Sequence, residues 1–345
     1  MFAIRKGWPA VWVASMILVA AMTFGLSALI RSANATGVVG ANPGGTNPLQ
    51  LATNPLQLAQ LHWNDANLTF GTYPVANEPE GLAFDGQNMW VANRLSNNVQ
   101  KIDIHTGAVV NSVAVGATPV GVAFDGTYVW VVNSGSSSLT KVRAATAVVV
   151  GAPIALGAST NPRAIAFDGQ YLWVVEAASH DLKKVNAVTG AIAATVVLPV
   201  SNPEAVAFDG TNVWAADATT NQLTKVNATT NVPTTMNLAG CTNPRGLAVA
   251  GDYLAVTCFG TSNVALWNIT NNTQALYPAG PGPIGVAFDG QNLWVANNGN
   301  STVTKLTISG TTIGTYATGG GTDLVAFDGV NVWISNAIGN TLSKR

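Results

Sequence analysis

Residues 119–133 read Pro-Val-Gly-Val-Ala-Phe-Asp-Gly-Thr-Tyr-Val-Trp-Val-Val-Asn, two short apolar runs joined by an Asp-Gly pair. Asp and Gly both tolerate positive φ, so Asp-Gly between β-prone runs is a strong signal for a two-stranded hairpin. Residues 139–142, Leu-Thr-Lys-Val, follow after a polar turn and predict a third strand. The stretch therefore predicts three consecutive antiparallel strands.

The same pattern recurs along the chain at a spacing of about 40 residues. Phe-Asp-Gly occurs in six copies, and a degenerate copy at residues 248–256 fills the one gap of double length. The aspartate position falls at Asp85, Asp125, Asp168, Asp209, Ala250, Asp289 and Asp328. Repeats of about 40 residues with four short strands are typical of β-propeller blades. The sequence therefore predicts an all-β fold, a single seven-bladed β-propeller with four-stranded blades.

The two ends of the repeat region predict how the ring closes. The chain ends at residues 341–345, which match the third strand of a repeat, so the last repeat lacks its fourth strand. Residues 68–75 precede the first repeat and resemble a fourth strand. We expect this N-terminal strand to complete the last blade and remove two unpaired sheet edges. The propeller is thus predicted to span residues 68–345.

The first 67 residues predict export. Arg5 and Lys6 precede an apolar run over residues 10–30, and Ala33-Asn34-Ala35 follows. These are the parts of a secretory signal peptide over residues 1–35, and an uncleaved membrane anchor is the alternative, because about 20 apolar residues can span a bilayer. Residues 36–67 are rich in Asn and Pro and read as a flexible spacer. Either reading predicts a secreted, periplasmic or cell-surface protein.

The charge of the chain limits its partners. Only 9% of the 345 residues are charged, and the formal net charge is −1. Nucleic-acid binding needs clustered Lys and Arg to neutralise phosphates, so we expect no nucleic-acid partner. We expect a monomer, with a membrane contact only if the N-terminal segment is uncleaved.

The repeats resemble a known superfamily. Pro-x-Gly-Val-Ala-Phe-Asp-Gly-x-x-Val-Trp-Val-x-Asn followed by Leu-Thr-Lys-Val is similar to the YVTN-type and NHL-like propeller repeats, which include relatives of virginiamycin B lyase. The resemblance covers residues 68–345 and implies a propeller. The relatives comprise binding scaffolds, nucleic-acid binders and a metal-dependent lyase, which the resemblance associates with histidine and glutamate residues.

Two residues recur in six of the seven repeats. The tryptophan of the second strand is found at positions 90, 130, 173, 214, 294 and 333, and the lysine of the third strand at 101, 141, 184, 225, 305 and 344. A residue shared by nearly all repeats indicates a shared core, whereas a binding site breaks the symmetry. We expect each lysine stem to pack near the tryptophan, with its ammonium reaching an aspartate or water. A ligand-stacking platform and a basic ring are the alternatives.

The two cysteines fall in the fifth repeat, which lacks the shared Asp, Trp and Lys. Cys241 precedes the first strand and Cys258 ends the second, so an antiparallel blade brings both to the same end. Because export makes oxidation available, we predict a disulfide between them.

The histidines do not match the lyase relatives. The chain has three, and His105 and His180 fall in turns at opposite ends of the repeats, while His62 lies in the spacer. No pair of them can share a metal ion or a serine. We predict no cofactor; a divalent metal would enter only with an enzymatic function.

Two series of positions vary from repeat to repeat, as a site for an asymmetric ligand requires. The first is the residue between Pro and Gly before the first strand, where five of seven are charged: Glu80, Val120, Arg163, Glu204, Arg245, Ile284 and Asp323. The second is the end of the second strand, which includes Glu176 and Asp217. We expect Arg163 and Arg245 to hold an anionic group, with Glu204 as candidate acid, base or metal ligand. The alternative is that the five charged residues pair with each other and cap the channel.

These observations predict an exported, non-enzymatic binding scaffold. Its ligand, an unidentified protein, glycan or small anion, would bind at the mouth of the channel through Glu80, Arg163, Glu204, Arg245, Asp323, Glu176 and Asp217. The alternative is a carbohydrate- or small-molecule-active lyase or hydrolase that uses carboxylates and arginine at the same face.

Overall fold

The computed structural model describes residues 71–345, which form 29 β-strands and one turn of 3-10 helix. The predicted signal segment, the spacer and residues 68–70 lie outside the described residues. Strand β1 (Thr72–Pro74) precedes the first blade. Blades 1 and 2 comprise β2 (Pro79–Phe84), β3 (Asn88–Asn93), β4 (Asn98–Asp103), β5 (Val109–Ala114), β6 (Pro119–Phe124), β7 (Tyr128–Asn133), β8 (Ser138–Arg143), β9 (Val148–Val149) and β10 (Ile154–Ala155).

The remaining five blades follow in chain order. Blades 3 and 4 comprise β11 (Pro162–Phe167), β12 (Tyr171–Glu176), β13 (Asp181–Asn186), β14 (Ile192–Val197), β15 (Pro203–Phe208), β16 (Asn212–Asp217), β17 (Gln222–Asn227) and β18 (Pro233–Asn237). Blade 5 comprises β19 (Pro244–Ala250), β20 (Tyr253–Cys258), β21 (Asn263–Asn268) and β22 (Gln274–Pro278). Blades 6 and 7 comprise β23 (Pro283–Phe288), β24 (Asn292–Asn297), the 3-10 turn Asn298–Asn300, β25 (Thr302–Thr307), β26 (Thr312–Ala317), β27 (Thr322–Phe327), β28 (Val332–Asn336) and β29 (Thr341–Lys344).

The strands form seven separate antiparallel sheets, which confirms the predicted seven-bladed β-propeller. The first strand of each blade contacts the first strand of the next blade, and β27 of blade 7 contacts β2 of blade 1. These seven innermost strands therefore form a closed ring around the axis. Blade 7 is completed by β1, which pairs antiparallel with β29 and aligns Tyr73 with Leu342. The predicted closure by an N-terminal strand is thus present.

Blade 2 differs from the prediction in one detail, because its fourth strand is split into β9 and β10. Both short strands pair with β8, and residues 150–153, Val-Gly-Ala-Pro, separate them. Gly151 has a φ of 74°, and Pro153 has no backbone N–H to donate to the sheet. The repeat that contains them is the longest, so its additional residues are accommodated at the outer edge.

The shared aspartate, tryptophan and lysine form one unit between adjacent blades. In blade 2, Asp125 Oδ1 accepts hydrogen bonds from the backbone of residues 127 and 128, and Oδ2 accepts one from Trp130 Nε1 at 2.7 Å. Lys141 Nζ lies 4.7 Å from the centre of the Trp130 ring and donates to the carbonyl of Ala187 in blade 3. The predicted packing of lysine on tryptophan is confirmed, and the ammonium connects one blade to the next.

The other blades with these residues repeat the Asp–Trp hydrogen bond and the packing of lysine on tryptophan. The same Asp–Trp hydrogen bond, 2.7 to 2.8 Å long, occurs in blades 1, 3, 4, 6 and 7. Every one of those lysines lies over its tryptophan. The tryptophans are buried, so they serve as core and not as an exposed stacking platform.

Blade 5 lacks this unit and has a disulfide at the opposite end of its first hairpin. Cys241 and Cys258 are bonded, with their Cα atoms 5.0 Å apart, and both residues are buried. Ala255 and Leu266 occupy the cross-strand positions that tryptophan and lysine hold elsewhere. The covalent bond joins the segment before β19 to the end of β20, and so holds the start of the innermost strand.

We expect the Cys241→Ala/Cys258→Ala variant to lose about 3 kcal/mol of stability, because the bond closes a loop of 17 residues in the unfolded chain. Urea denaturation with and without reductant measures the loss. Reductant should destabilise the wild-type protein by a similar amount and leave the double variant unchanged. Equal stability of the oxidised and reduced wild-type protein would contradict this expectation.

Candidate binding site at the channel mouth

The seven variable positions, each of which is the second residue of an innermost strand, meet in one cavity on the axis. The cavity has a volume of about 400 Å³ and is lined at its rim by Glu80, Val120, Arg163, Glu204, Arg245, Ile284 and Asp323. It occupies the half of the channel in which the innermost strands begin. Sequence reasoning therefore located the lining correctly from the repeat phase.

A local irregularity accompanies each of these side chains. In all seven blades the pairing of the first strand with the second shifts register at this position, for example between Pro79 and Leu82 in blade 1. Such bulges re-aim side chains out of the regular alternation. In blades 1, 2, 5 and 6 a glycine follows and permits close approach of the strands: a Cβ on Gly81 would lie 2.5 Å from the carbonyl oxygen of Val120.

Three charged residues on adjacent blades form one side of the mouth. Glu204 of blade 4 lies between Arg163 of blade 3, at 3.7 Å, and Arg245 of blade 5, at 3.6 Å. Both distances are ion-pair contacts longer than a hydrogen bond. The Glu204 side chain is 10% exposed, whereas both arginines are exposed by about one third. The guanidinium groups therefore present N–H donors to the cavity.

The two arginines are held in different ways. Arg245 Nε donates to Asn243 Oδ1 at 2.9 Å, and its guanidinium lies 5.5 Å from the ring of Phe259. Arg163 Nε has no hydrogen-bond acceptor among the described residues. Arg245 is therefore the more firmly positioned cation, while the buried Nε of Arg163 has only its ion-pair contact with Glu204.

A carboxylate group forms the opposite side of the mouth. Glu80 lies 3.5 Å from Arg94, which also bonds Glu78 at 2.7 Å. Burial, followed by the charge of Asp323, raises the pKa of Glu80 to about 8. Burial and the charge of Glu78 raise the pKa of Asp323 to about 6. At neutral pH, Glu80 is therefore largely protonated and can donate a proton, whereas Asp323 is largely ionised.

Sequence reasoning missed Glu78 and Arg94, although both have a signal in the first repeat. Glu78 stands two residues before Glu80, and Arg94 directly follows the last residue of β3. No other repeat places a carboxylate and an arginine at these two positions, so their asymmetry marked them as candidates.

Glu176 and Asp217, predicted as ligand-binding residues, lie outside the cavity lining. Glu176 is fully buried at the end of β12 beside Asp181 and Lys183. Asp217 is also buried, and its oxygens accept hydrogen bonds from the backbone of Ser201, Asn202, Thr219 and Thr220. Although burial alone would raise it, these bonds lower the pKa of Asp217. Its carboxylate therefore stabilises the loops that contain these four residues.

The donor set does not match a divalent metal site. Within residues 71–345, no group of three or more His, Cys, Asp or Glu side chains is placed to hold a metal ion. His105 lies between β4 and β5 and His180 between β12 and β13, both away from the cavity lining. The metal centre that the lyase resemblance implies therefore does not fit these residues.

No helix within residues 71–345 is long and apolar enough to cross a membrane.

The fold and the axial cavity define a seven-bladed β-propeller with a charged channel mouth. Solved structures with the same fold include streptogramin B lyase, at 16% identity and a TM-score of 0.70, over 79% of this chain and 96% of that one. Another is hydrazine synthase from Kuenenia stuttgartiensis, at 17% identity and a TM-score of 0.69, over 79% and 96%. A third is a catalytically inactive histidine-to-alanine variant of virginiamycin B lyase from Staphylococcus aureus with quinupristin, at 15% identity and a TM-score of 0.70, over 79% and 98%.

These neighbours confirm, at the level of the fold, the resemblance to virginiamycin B lyase-like propellers. No protein-family model matches the chain, and no curated protein matches it. Likeness at this identity concerns architecture alone, because one propeller fold hosts many unrelated functions.

Proposed function

We propose that the protein is an exported, non-enzymatic binding scaffold whose axial cavity takes a negatively charged group of its ligand. The observation that carries the proposal is the convergence of Arg163 and Arg245 on one cavity, with both side chains about one-third exposed. A guanidinium is a planar fork suited to carboxylate or phosphate. The ligand is a small anion, or an anionic group of a glycan or a protein.

Glu204 has a defined part in this proposal. It keeps the two arginine charges close together at the cavity, and its contacts with them exceed hydrogen-bond length. An incoming anion can therefore bind the free N–H groups without first breaking a strong hydrogen bond. The ion pairs of Glu204 with Arg163 and Arg245 thus hold the two guanidinium groups in position for a ligand instead of closing the channel.

Export is supported by the chain outside the cavity. The order of basic residues, apolar run and Ala33-Asn34-Ala35 is that of a secretory signal. A buried disulfide is in keeping with an oxidising compartment. The protein is proposed to act as a monomer, without nucleic acid.

A second candidate, a lyase or hydrolase acting on a carbohydrate or a small molecule, is favoured by one observation. Glu80 and Asp323 line the same cavity, and the raised pKa of Glu80 would let it act as a proton donor near neutral pH. Perturbed carboxyl groups in a cleft are characteristic of catalytic sites, but also of buried ion-pair networks. Product formation from a bound ligand, followed by mass spectrometry, distinguishes this candidate from a scaffold.

We expect Arg163→Ala and Arg245→Ala each to weaken binding of hexanoate and inorganic phosphate about tenfold or more, because a hydrogen bond to a charged group is worth about 1.5–3 kcal/mol. Isothermal titration calorimetry measures the affinities. Arg143→Ala is the matched control, since Arg143 is exposed on β8 and lies outside the cavity lining. Unchanged affinity in both cavity variants, with an unchanged melting temperature, would refute the proposal.

A further inference from the structure

The charges at the channel mouth are arranged with a polarity. In a ring of seven, blade 4 faces the junction between blades 7 and 1, so Glu204 and its two arginines lie opposite Glu80 and Asp323. The two blades that separate these sides contribute Val120 and Ile284. A positive side and an acidic side therefore face each other across one cavity, with apolar side chains on both flanks.

The formal charges of the two sides are opposite. Arg163 and Arg245 outweigh Glu204 by one positive charge. On the facing side, Glu78, Glu80 and Asp323 outweigh Arg94 by two negative charges, or by one when Glu80 is protonated. A ligand that neutralises the positive side alone leaves the acidic side uncompensated. An acidic side in a poorly solvated cavity is costly unless a cation approaches it.

Asp323 is the carboxylate at which we expect a cationic group of the ligand to bind. It lines the cavity, and its carboxylate makes no hydrogen bond or ion pair within 4 Å of another described residue, although the more distant charges of Arg245 and Arg94 lower its pKa. Glu80 beside it retains one contact, with Arg94 at 3.5 Å. Every other charged residue of the rim has an oppositely charged partner within 4 Å. This carboxylate, which has no cation in ion-pair contact, thus lies across the cavity from the partly exposed arginines.

We propose that the ligand is a small zwitterion, which places a carboxylate on Arg163 and Arg245 and a primary ammonium on Asp323 and Glu80. Amino acids, short peptides and other ω-amino carboxylates belong to this class. The inference rests on the proposed function, because it uses the same arginines, and adds the facing carboxylates to them. The methylene groups between the two charges would lie between Val120 and Ile284.

The proposal implies a pH dependence. Both carboxyl pKa values are raised, so raising the pH from about 5 to about 8 removes protons first from Asp323 and then from Glu80. Glu78 raises both values, whereas Arg94, Arg163 and Arg245 lower one or both. Affinity for an ammonium should therefore increase over this range and decrease above about 10, where a primary amine loses its charge. Hexanoate, which lacks the ammonium, should not show the increase.

The test is calorimetric titration of the protein at pH 7.5 with glycine, β-alanine, 4-aminobutanoate and 6-aminohexanoate, alongside acetate, propanoate, butanoate, hexanoate and hexylamine. We expect one amino carboxylate of optimum length to bind at least tenfold more tightly than the unsubstituted carboxylate of the same length. In Asp323→Asn this ratio should fall towards one. Asp252→Asn is the matched control, because Asp252 is exposed on a turn of blade 5, and should keep the ratio.

Failure of this inference and failure of the proposed function give different results. If hexanoate binding depends on the arginines but an amino group does not increase the affinity, the zwitterion proposal is overturned and the proposed anion site is retained. The zwitterion proposal is also overturned if the amino group increases the affinity equally in the Asp323→Asn variant. Absence of binding for both hexanoate and phosphate refutes the anion site, and absence of binding for all amino carboxylates refutes the zwitterion.

Discussion

Replacing Trp130 with alanine is expected to lower the free energy of unfolding by about 3–5 kcal/mol, the usual cost of deleting a buried aromatic side chain. Trp130 is fully buried and packs against Leu172 and Val174 of the next blade. The substitution also leaves Asp125 without its indole donor and Lys141 without the ring beneath it. Because the side chain joins two blades, the loss should weaken the ring and not only blade 2. Urea denaturation followed by fluorescence and circular dichroism measures it.

Trp130→Phe is the control that separates packing from hydrogen bonding. Phenylalanine keeps most of the apolar contact but cannot donate to Asp125, so about 1–3 kcal/mol of the loss should remain for the unpaired carboxylate. A cost below 1 kcal/mol for Trp130→Ala would mean that the blades do not depend on this unit. Blade 5 shows that a blade with alanine at this position can exist when a disulfide is present.

The fold could be predicted because the same residue pattern recurs in nearly every blade. Six copies of Asp-Gly and tryptophan at nearly constant spacing fix the number of blades and the phase of the strands. The split of the fourth strand of blade 2 was not predicted, because Gly151 and Pro153 fall at an outer edge where the repeats share no pattern. Outer strands contribute few side chains to the hydrophobic core, so their sequences are the least constrained.

The position of the cavity could be predicted from the sequence, but the charged residues around it only in part. The repeat phase placed Arg163, Glu204 and Arg245 at the start of innermost strands, and the structure brings them together. Which carboxyl groups have raised pKa values could not be predicted, because burial is the main cause for both Glu80 and Asp323 and the sequence does not give the depth at which a side chain lies.

The second variable series, at the ends of the second strands, pairs with the third strand in most blades and does not line the cavity. In blade 6, Asn297 is buried at the end of β24 and its Nδ2 donates to Thr302 and Thr304 of β25. The asparagines of blades 1, 2 and 7 make the same two bonds to the residues five and seven positions later. The position is therefore internal in most blades, and variation there reflects alternative buried pairings.

Blade 3 has a charged version of this pairing. Glu176 replaces the asparagine, and Asp181 and Lys183 replace the two acceptors. Lys183 Nζ lies 3.4 Å from Glu176 and 3.0 Å from Asp181, and all three residues are buried. Burial, together with the hydrogen-bonded Asp181, raises the pKa of Glu176 to about 7. One ammonium thus compensates two carboxyl groups, of which one titrates near neutral pH.

Lys183→Thr is expected to cost about 3–5 kcal/mol at pH 8, because it leaves two buried carboxylates without a cation. The pKa of Glu176 is raised above its usual 4.5 in the folded protein, so its contribution to stability is present below about 4.5 and is lost as the pH rises through about 7. Removal of Lys183 raises this pKa further. The variant should therefore lose more stability than the wild type between pH 5 and pH 8, as measured by urea denaturation at both values.

The triple variant Glu176→Asn/Asp181→Thr/Lys183→Thr is the matched control, since it copies the residues of blade 6 into blade 3. It removes the buried charges together with the cation, and replacing a complete buried ion cluster with a well-packed uncharged set is often neutral or stabilising. We expect its stability at pH 8 to equal or exceed that of the wild type, without the slope that Glu176 imposes. If the triple variant were as unstable as Lys183→Thr, the lysine would act through its packed stem and not through its charge. If Lys183→Thr were harmless at pH 8, Glu176 and Asp181 would share a proton strongly enough to need no cation.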